Sequence, residues 1–82
     1  MTEASNVAAR CRGVIARTLK VPIDRVADQA HFVRDLGMES VQVVELIAAL
    51  EDEFDIEIDA GRASGNDTVA KAIAQVEETV RS

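Results

Sequence analysis

Apolar residues recur at three- and four-residue spacing in three separate stretches of this chain. That periodicity confines it to amphipathic helices that bury one stripe each. In the first stretch, residues 3–19, the stripe is Val7, Cys11, Val14, Ile15, Thr18 and Leu19, with Arg10, Arg12 and Arg17 outside and Pro22 as the stop. The second stretch, residues 40–54, gathers Val43, Leu46, Ile47, Leu50 and Phe54 on one face. The third, residues 68–80, is capped by Asp67 or Thr68 and aligns Val69, Ala72, Ile73, Val76 and Val80. Ile56 and Ile58 alternate with acids as a strand would, but the sequence offers no second strand to pair with it. The expected fold is an all-α bundle of three main helices, with a short fourth element near residues 59–64.

Residues 20–39 lack sustained periodicity, and a connection this long inside a small domain is often functional. Ile23, Val26, Phe32, Val33 and Leu36 are the expected anchors that pin it to the core, and Gly37 marks a backbone position other residues resist. The 82 residues are expected to form one domain, 1–82. Phe32 and Phe54 are the only aromatic residues, so the core is aliphatic, with room to accept part of a bound chain.

Several classes are excluded. One cysteine, Cys11, cannot form an internal disulfide, and one Cys with one His, His31, cannot build a structural zinc site. No stretch approaches the ~20 apolar residues of a membrane span, and the first residues lack a basic start followed by an apolar run. A reduced, cytoplasmic setting is expected. Net charge is −6, unevenly spread: residues 35–60 hold nine acids and no Lys or Arg, whereas residues 1–25 hold five basic residues and two acids. The acidic half would repel a nucleic-acid backbone and attract basic protein partners.

The second helix has a second face. At ~100° per residue, Val41 and Ala48 fall opposite the core stripe with Val44 at the margin, Glu45 and Asp52 beside them and Glu51 at the other edge. An apolar strip between acidic flanks suits docking by a basic partner, in contacts that are fast and salt-sensitive. The plainer account makes these scattered exposed apolar residues and a solvated acidic face. At the start of this helix stands Ser40. A phosphate attached there would lie at the positive end of the helix dipole, although a serine at a helix start also serves as a simple cap.

The string Phe32-Val33-Arg34-Asp35-Leu36-Gly37-Met38-Glu39-Ser40-Val41, continuing through Leu50-Glu51-Asp52-Glu53-Phe54-Asp55, resembles the acyl carrier protein family. The closest likeness is to freestanding, bacterial-type carriers, and it extends over nearly the whole chain. The resemblance implies an antiparallel helical bundle, working as a monomer, whose Ser40 receives 4'-phosphopantetheine from coenzyme A, with Glu39 flanking the site. It also implies that Val41, Val44, Glu45, Ala48, Glu51 and Asp52 form the partner-binding face. The implied partners are a phosphopantetheinyl transferase and acyl-transferring, ketoacyl synthase or ligase-type enzymes with basic docking patches. The implied role is to tether acyl intermediates as thioesters in fatty-acid or specialised lipid or polyketide biosynthesis, with no catalysis of its own.

Four positions depart from the family pattern. Glu39 stands for the usual Asp, Gln42 for an acid, Asn66 for an aliphatic anchor and Gln75 for an aromatic residue. These point to a specialised carrier rather than a housekeeping one. Two other readings stay open on sequence: an aminoacyl or peptidyl carrier, and an unmodified acidic adaptor. A Ser40–His31 hydrolase pair is disfavoured because Gly-Met-Glu-Ser-Val is not a nucleophile elbow, and Cys11 falls on a core stripe. Asp55-Ile56-Glu57-Ile58-Asp59 starts like a calcium loop but lacks its glycine and closing Glu, so no metal site is expected.

Overall fold

The computed structural model describes residues 3–81, and their side chains from Val7 onward. Residues 1, 2 and 82, the outermost positions of the expected domain, lie outside the described residues. Four α-helices follow in order: α1 Glu3–Leu19, α2 Ser40–Phe54, α3 Ala60–Ala63 and α4 Val69–Arg81. The long connection carries one 3-10 turn, Ile23–Arg25, and an isolated bridge joins His31 to Thr68.

α1 is the element against which both α2 and α4 pack. Its stripe buries Val7, Cys11, Val14, Ile15 and Leu19 as the spacing predicts, adds Ala16, and leaves Thr18 half-buried. Leu46 and Leu50 come from α2, and Val69, Ala72, Ile73 and Val76 from α4. Full burial of an aliphatic side chain of this kind stabilises by roughly 1.5–3 kcal/mol. Val43, Ile47 and Phe54 are only half-buried, because they border a cavity or the α1–α2 edge rather than the packed centre.

Both long helices that lead into loops end on a non-glycine residue in left-handed conformation. Lys20 has φ 58°, and the Val21 N–H reaches back to the Ala16 carbonyl at 3.1 Å. Asp55 has φ 55°, and the Ile56 N–H donates to the Glu51 carbonyl at 3.1 Å. These bonds satisfy carbonyls that the helix end would otherwise orphan. Pro22 lies two residues past the first stop and reinforces it.

The connection 20–39 is stitched to the start of α4. The Val69 and Ala70 N–H groups, which have no partner inside their own helix, donate to the Ala30 and Asp28 carbonyls, both at 3.0 Å. The Phe32 N–H donates to the Asp67 carbonyl at 2.9 Å. Arg12 holds the other side through the Val26 carbonyl and the Asp28 carboxylate. Of the five expected anchors, Val26, Phe32 and Leu36 are buried. Ile23 and Val33 are more than half exposed, at 51% and 57%. The correction has a plain cause: backbone bonds to α4 and the Arg12 clasp already fix this segment, so neither side chain is needed inside.

α3 is one turn, set by the Asp59 carboxylate, which accepts from the Gly61 N–H at 2.9 Å and the Arg62 N–H at 3.3 Å. Arg62 then pairs with Glu78 on α4 at 3.2 Å. At the head of α4, Lys71 Nζ lies 3.0 Å from Asp67 and holds that carboxyl below its ordinary range by hydrogen bonding to it.

Candidate functional site

The segment before α2 is a folded turn in which each residue has a task. His31 Nδ1 accepts the Val33 and Arg34 N–H groups at 3.2 and 3.1 Å, and Asp35 Oδ2 accepts the His31 N–H at 2.7 Å. His31 therefore clasps its own loop and is not turned to catalysis. Leu36 plugs into the core. Gly37 has φ 68°, a conformation a side chain resists. The Met38 N–H closes the turn on the Phe32 carbonyl at 2.9 Å.

α2 starts at Ser40, where the sequence places it, and its cap is the residue before the serine. Glu39 is the N-cap, in extended conformation, and Ser40 is the first helical residue. The Gln42 side chain folds back so that its Oε1 accepts the Glu39 N–H at 2.8 Å, and the Gln42 N–H donates to the Glu39 carbonyl at 2.9 Å. The bond to Gln42 Oε1 is the reciprocal contact of a capping box closed on Glu39, which sets aside the alternative that Ser40 is a simple cap. The Ser40 hydroxyl, exposed, makes no hydrogen bond among the described residues. The departure at Gln42 has the same cause, since the residue that lacks the family's charge is the one closing the box. Glu39-x-x-Gln42 was the signal available in the sequence.

On the outer face of α2, Val41 and Val44 are 64% and 70% exposed, and Ala48, Glu45 and Asp52 are exposed with them. Glu45 and Asp52 form no ion pair among the described residues, so their charges face solvent unneutralised. Glu51 differs. It is half-buried, and its Oε2 accepts the Ile58 N–H at 2.8 Å, tying α2 to the segment that leads into α3. Glu53 is taken up on the opposite side, by Arg10 at 2.9 Å and Arg17 at 3.8 Å, while the Arg10 guanidinium lies 4.6 Å over the Phe54 ring. The acids of α2 thus divide into free ones on the outer face and committed ones elsewhere.

Beneath α2, facing α4, lies a cavity of about 40 Å³. Val43, Leu46, Ile47 and Leu50 form its α2 wall, while Asn66 and Gln75 bring polar groups to it. Nothing in the sequence pairs these two residues, which lie nine positions apart and meet only because α4 packs where it does.

Cys11 is shut inside α1, 1% exposed, and burial pushes its thiol up to about 12. It is unsuited to nucleophilic work. No group of three or more His, Cys, Asp or Glu among the described residues is placed to hold a metal ion. No helix among them is long and apolar enough to cross a membrane.

A small helical bundle that presents an unengaged serine hydroxyl at the head of an acidic helix, with a largely apolar cavity beneath that helix, has the build of a carrier module. The sequence matches the family described as "Phosphopantetheine attachment site" over residues 10–76. It is also 38% identical over 69 residues to the acyl carrier protein of Buchnera aphidicola subsp. Schizaphis graminum (strain Sg), a match covering 84% of this chain and 87% of that one. The chain belongs to the acyl carrier protein family. Such proteins are carriers and not enzymes, and their prosthetic group is covalently attached 4'-phosphopantetheine. The head of α2 fits that group: the hydroxyl is open, and the first N–H groups of a helix have no partner within it and favour an anion.

Proposed function

We propose that Ser40 Oγ is the attachment point of the 4'-phosphopantetheine arm, and that the chain carries acyl groups between enzymes of fatty-acid or specialised lipid or polyketide synthesis. The single observation that carries this is the Ser40 hydroxyl, exposed and unbonded at the first position of α2. When bound, the arm supplies the thiol to which an acyl group is joined as a thioester. The chain's own residues do the rest. The first turn of α2 offers its positive dipole end to the phosphodiester. The Glu39–Gln42 box keeps that turn wound, and the clasped loop 31–37 holds it in place.

Partner recognition is assigned to Val41, Val44, Glu45, Ala48 and Asp52, with Glu51 at the edge and Glu39 beside the modified serine. The apolar strip supplies area to be buried, and the free charges of Glu45 and Asp52 steer a basic patch onto it. A phosphopantetheinyl transferase would read this face first, followed by acyl-transferring, ketoacyl synthase or ligase-type enzymes. We place this work in the cytoplasm, with residues 1–82 as one monomeric carrier domain.

The test is intact mass spectrometry after incubation with coenzyme A, magnesium and a broad-specificity transferase. Wild type should gain the mass of one arm, and Ser40→Ala none. An undiminished gain on Ser40→Ala, or no gain on wild type, overturns the assignment. If Ser40→Ala instead keeps full function in cells while Glu45→Lys loses it, the chain acts as an unmodified adaptor.

A further inference from the structure

The two departures at Asn66 and Gln75 are one feature in space. Gln75 lies on the buried face of α4 between Ala72 and Val76 and is 6% exposed. Asn66 Nδ2 donates to its Oε1, and Gln75 Nε2 donates to the Asp59 carbonyl at 3.5 Å. The pair therefore hangs from the start of α3 and brings polar edges to a cavity whose α2 wall is aliphatic. We propose that this cavity takes an acyl chain bearing a hydroxyl group, bound by the Asn66–Gln75 pair, in preference to a plain alkyl chain. The proposal deepens the carrier reading and rests on it.

Both amides keep unused hydrogen-bonding capacity. A primary amide has two donor hydrogens and two acceptor positions on its oxygen. The Asn66 side chain makes the one bond to Gln75 and no other among the described residues, so its Oδ1 and one amide hydrogen stay free. Gln75 keeps a second hydrogen and a second lone pair beyond the bonds it makes. A hydroxyl both donates and accepts, so it can complete either amide.

Size and desolvation follow. About 40 Å³ exceeds the ~10–15 Å³ that one water-sized oxygen requires, and the polar partners such an oxygen needs are present. A methylene group placed against the pair would strip it of water and return no hydrogen bond, whereas a hydroxyl replaces the bonds it displaces. An all-apolar lining would reverse that preference.

The experiment loads hexanoyl, 3-hydroxyhexanoyl and 5-hydroxyhexanoyl arms onto Ser40 of the full chain. It then measures cleavage of each thioester by hydroxylamine, normalised to the same thioester on free pantetheine. At least one hydroxylated cargo should be protected about three- to tenfold more than hexanoyl, the ratio that one net hydrogen bond supplies. The side-chain amide resonances of Asn66 and Gln75 should move with that cargo and not with hexanoyl. In Asn66→Leu/Gln75→Leu the protection should favour hexanoyl. Wild type alone decides the matter if that variant does not fold. Hexanoyl protected as well as the hydroxylated chains, or unmoved amide resonances, overturns the proposal while leaving the carrier reading standing. Failure of Ser40 to take any arm overturns both.

Discussion

Replacing Ser40 and Gln42 one at a time separates a serine kept for its hydroxyl from a serine kept as a helix cap. In Gln42→Ala the Oε1 acceptor of the Glu39 N–H is lost, a bond of 2.8 Å. A net hydrogen bond contributes about 0.5–1.5 kcal/mol, and loss of a cap falls in the same range. Glu39 is exposed, so water takes back part of its N–H, and alanine adds a few tenths in helix propensity. The expected loss is about 0.5–1 kcal/mol, or a melting point lower by roughly 2–8 °C for a chain of this size. In Ser40→Ala no bond is lost, and the change in propensity favours alanine. That variant should lie within about 0.5 kcal/mol of wild type, on the stabilised side. Urea unfolding of the unmodified protein, followed by far-ultraviolet circular dichroism because the chain has no Trp or Tyr, measures both with an unchanged slope as the control. A loss of about 1 kcal/mol or more in Ser40→Ala would show that the hydroxyl caps the helix after all, and the reasoning about α2 would fail.

Three further outcomes are expected. Cys11 is buried, so a thiol reagent should find no fast-reacting thiol in the native unmodified chain and one after the arm is attached, with one more in each case on denaturation; fast labelling of the native unmodified chain would contradict its burial. Because burial raises that thiol from 9.0 to about 12, the native state holds its proton more tightly than the unfolded state. Its contribution is complete below about pH 9 and is lost as pH rises towards 12, so wild type should lose stability over that window more steeply than Cys11→Ala, and parallel pH profiles would refute this. Glu51→Ala should destabilise the fold by about 1–2 kcal/mol by removing the charged acceptor of the Ile58 N–H, whereas Glu45→Ala should leave unfolding within about 0.5 kcal/mol and weaken only salt-sensitive docking; equal stability effects in urea would contradict the division of the acids.

The helices were legible because their information is periodic: the α1 and α4 stripes name most of the residues that those helices bury. The exposure of the outer face of α2 was legible for the same reason, by angle, whereas Ser40 is singled out by motif and not by period. What the sequence hid is recorded in contacts between residues without a common period. Ile23 and Val33 look like anchors by hydrophobicity, yet Arg12 and the head of α4 hold their segment through backbone carbonyls. Glu51 reads as one more surface acid until Ile58 is seen to fold back onto it. Asn66 and Gln75 read as two separate departures until α4 brings them together. One local signal, the capping spacing of Glu39 and Gln42, puts the cap on Glu39 and leaves Ser40 as the first helical residue.

Every role proposed for this chain depends on a covalent bond at one oxygen, Ser40 Oγ. Protein isolated from its own cells under conditions that spare phosphodiesters, digested and sequenced by tandem mass spectrometry, should yield the peptide spanning residue 40 with a phosphopantetheine arm fixed to Ser40. The same peptide recovered only in unmodified form, or an arm mapped to any other residue, would contradict it.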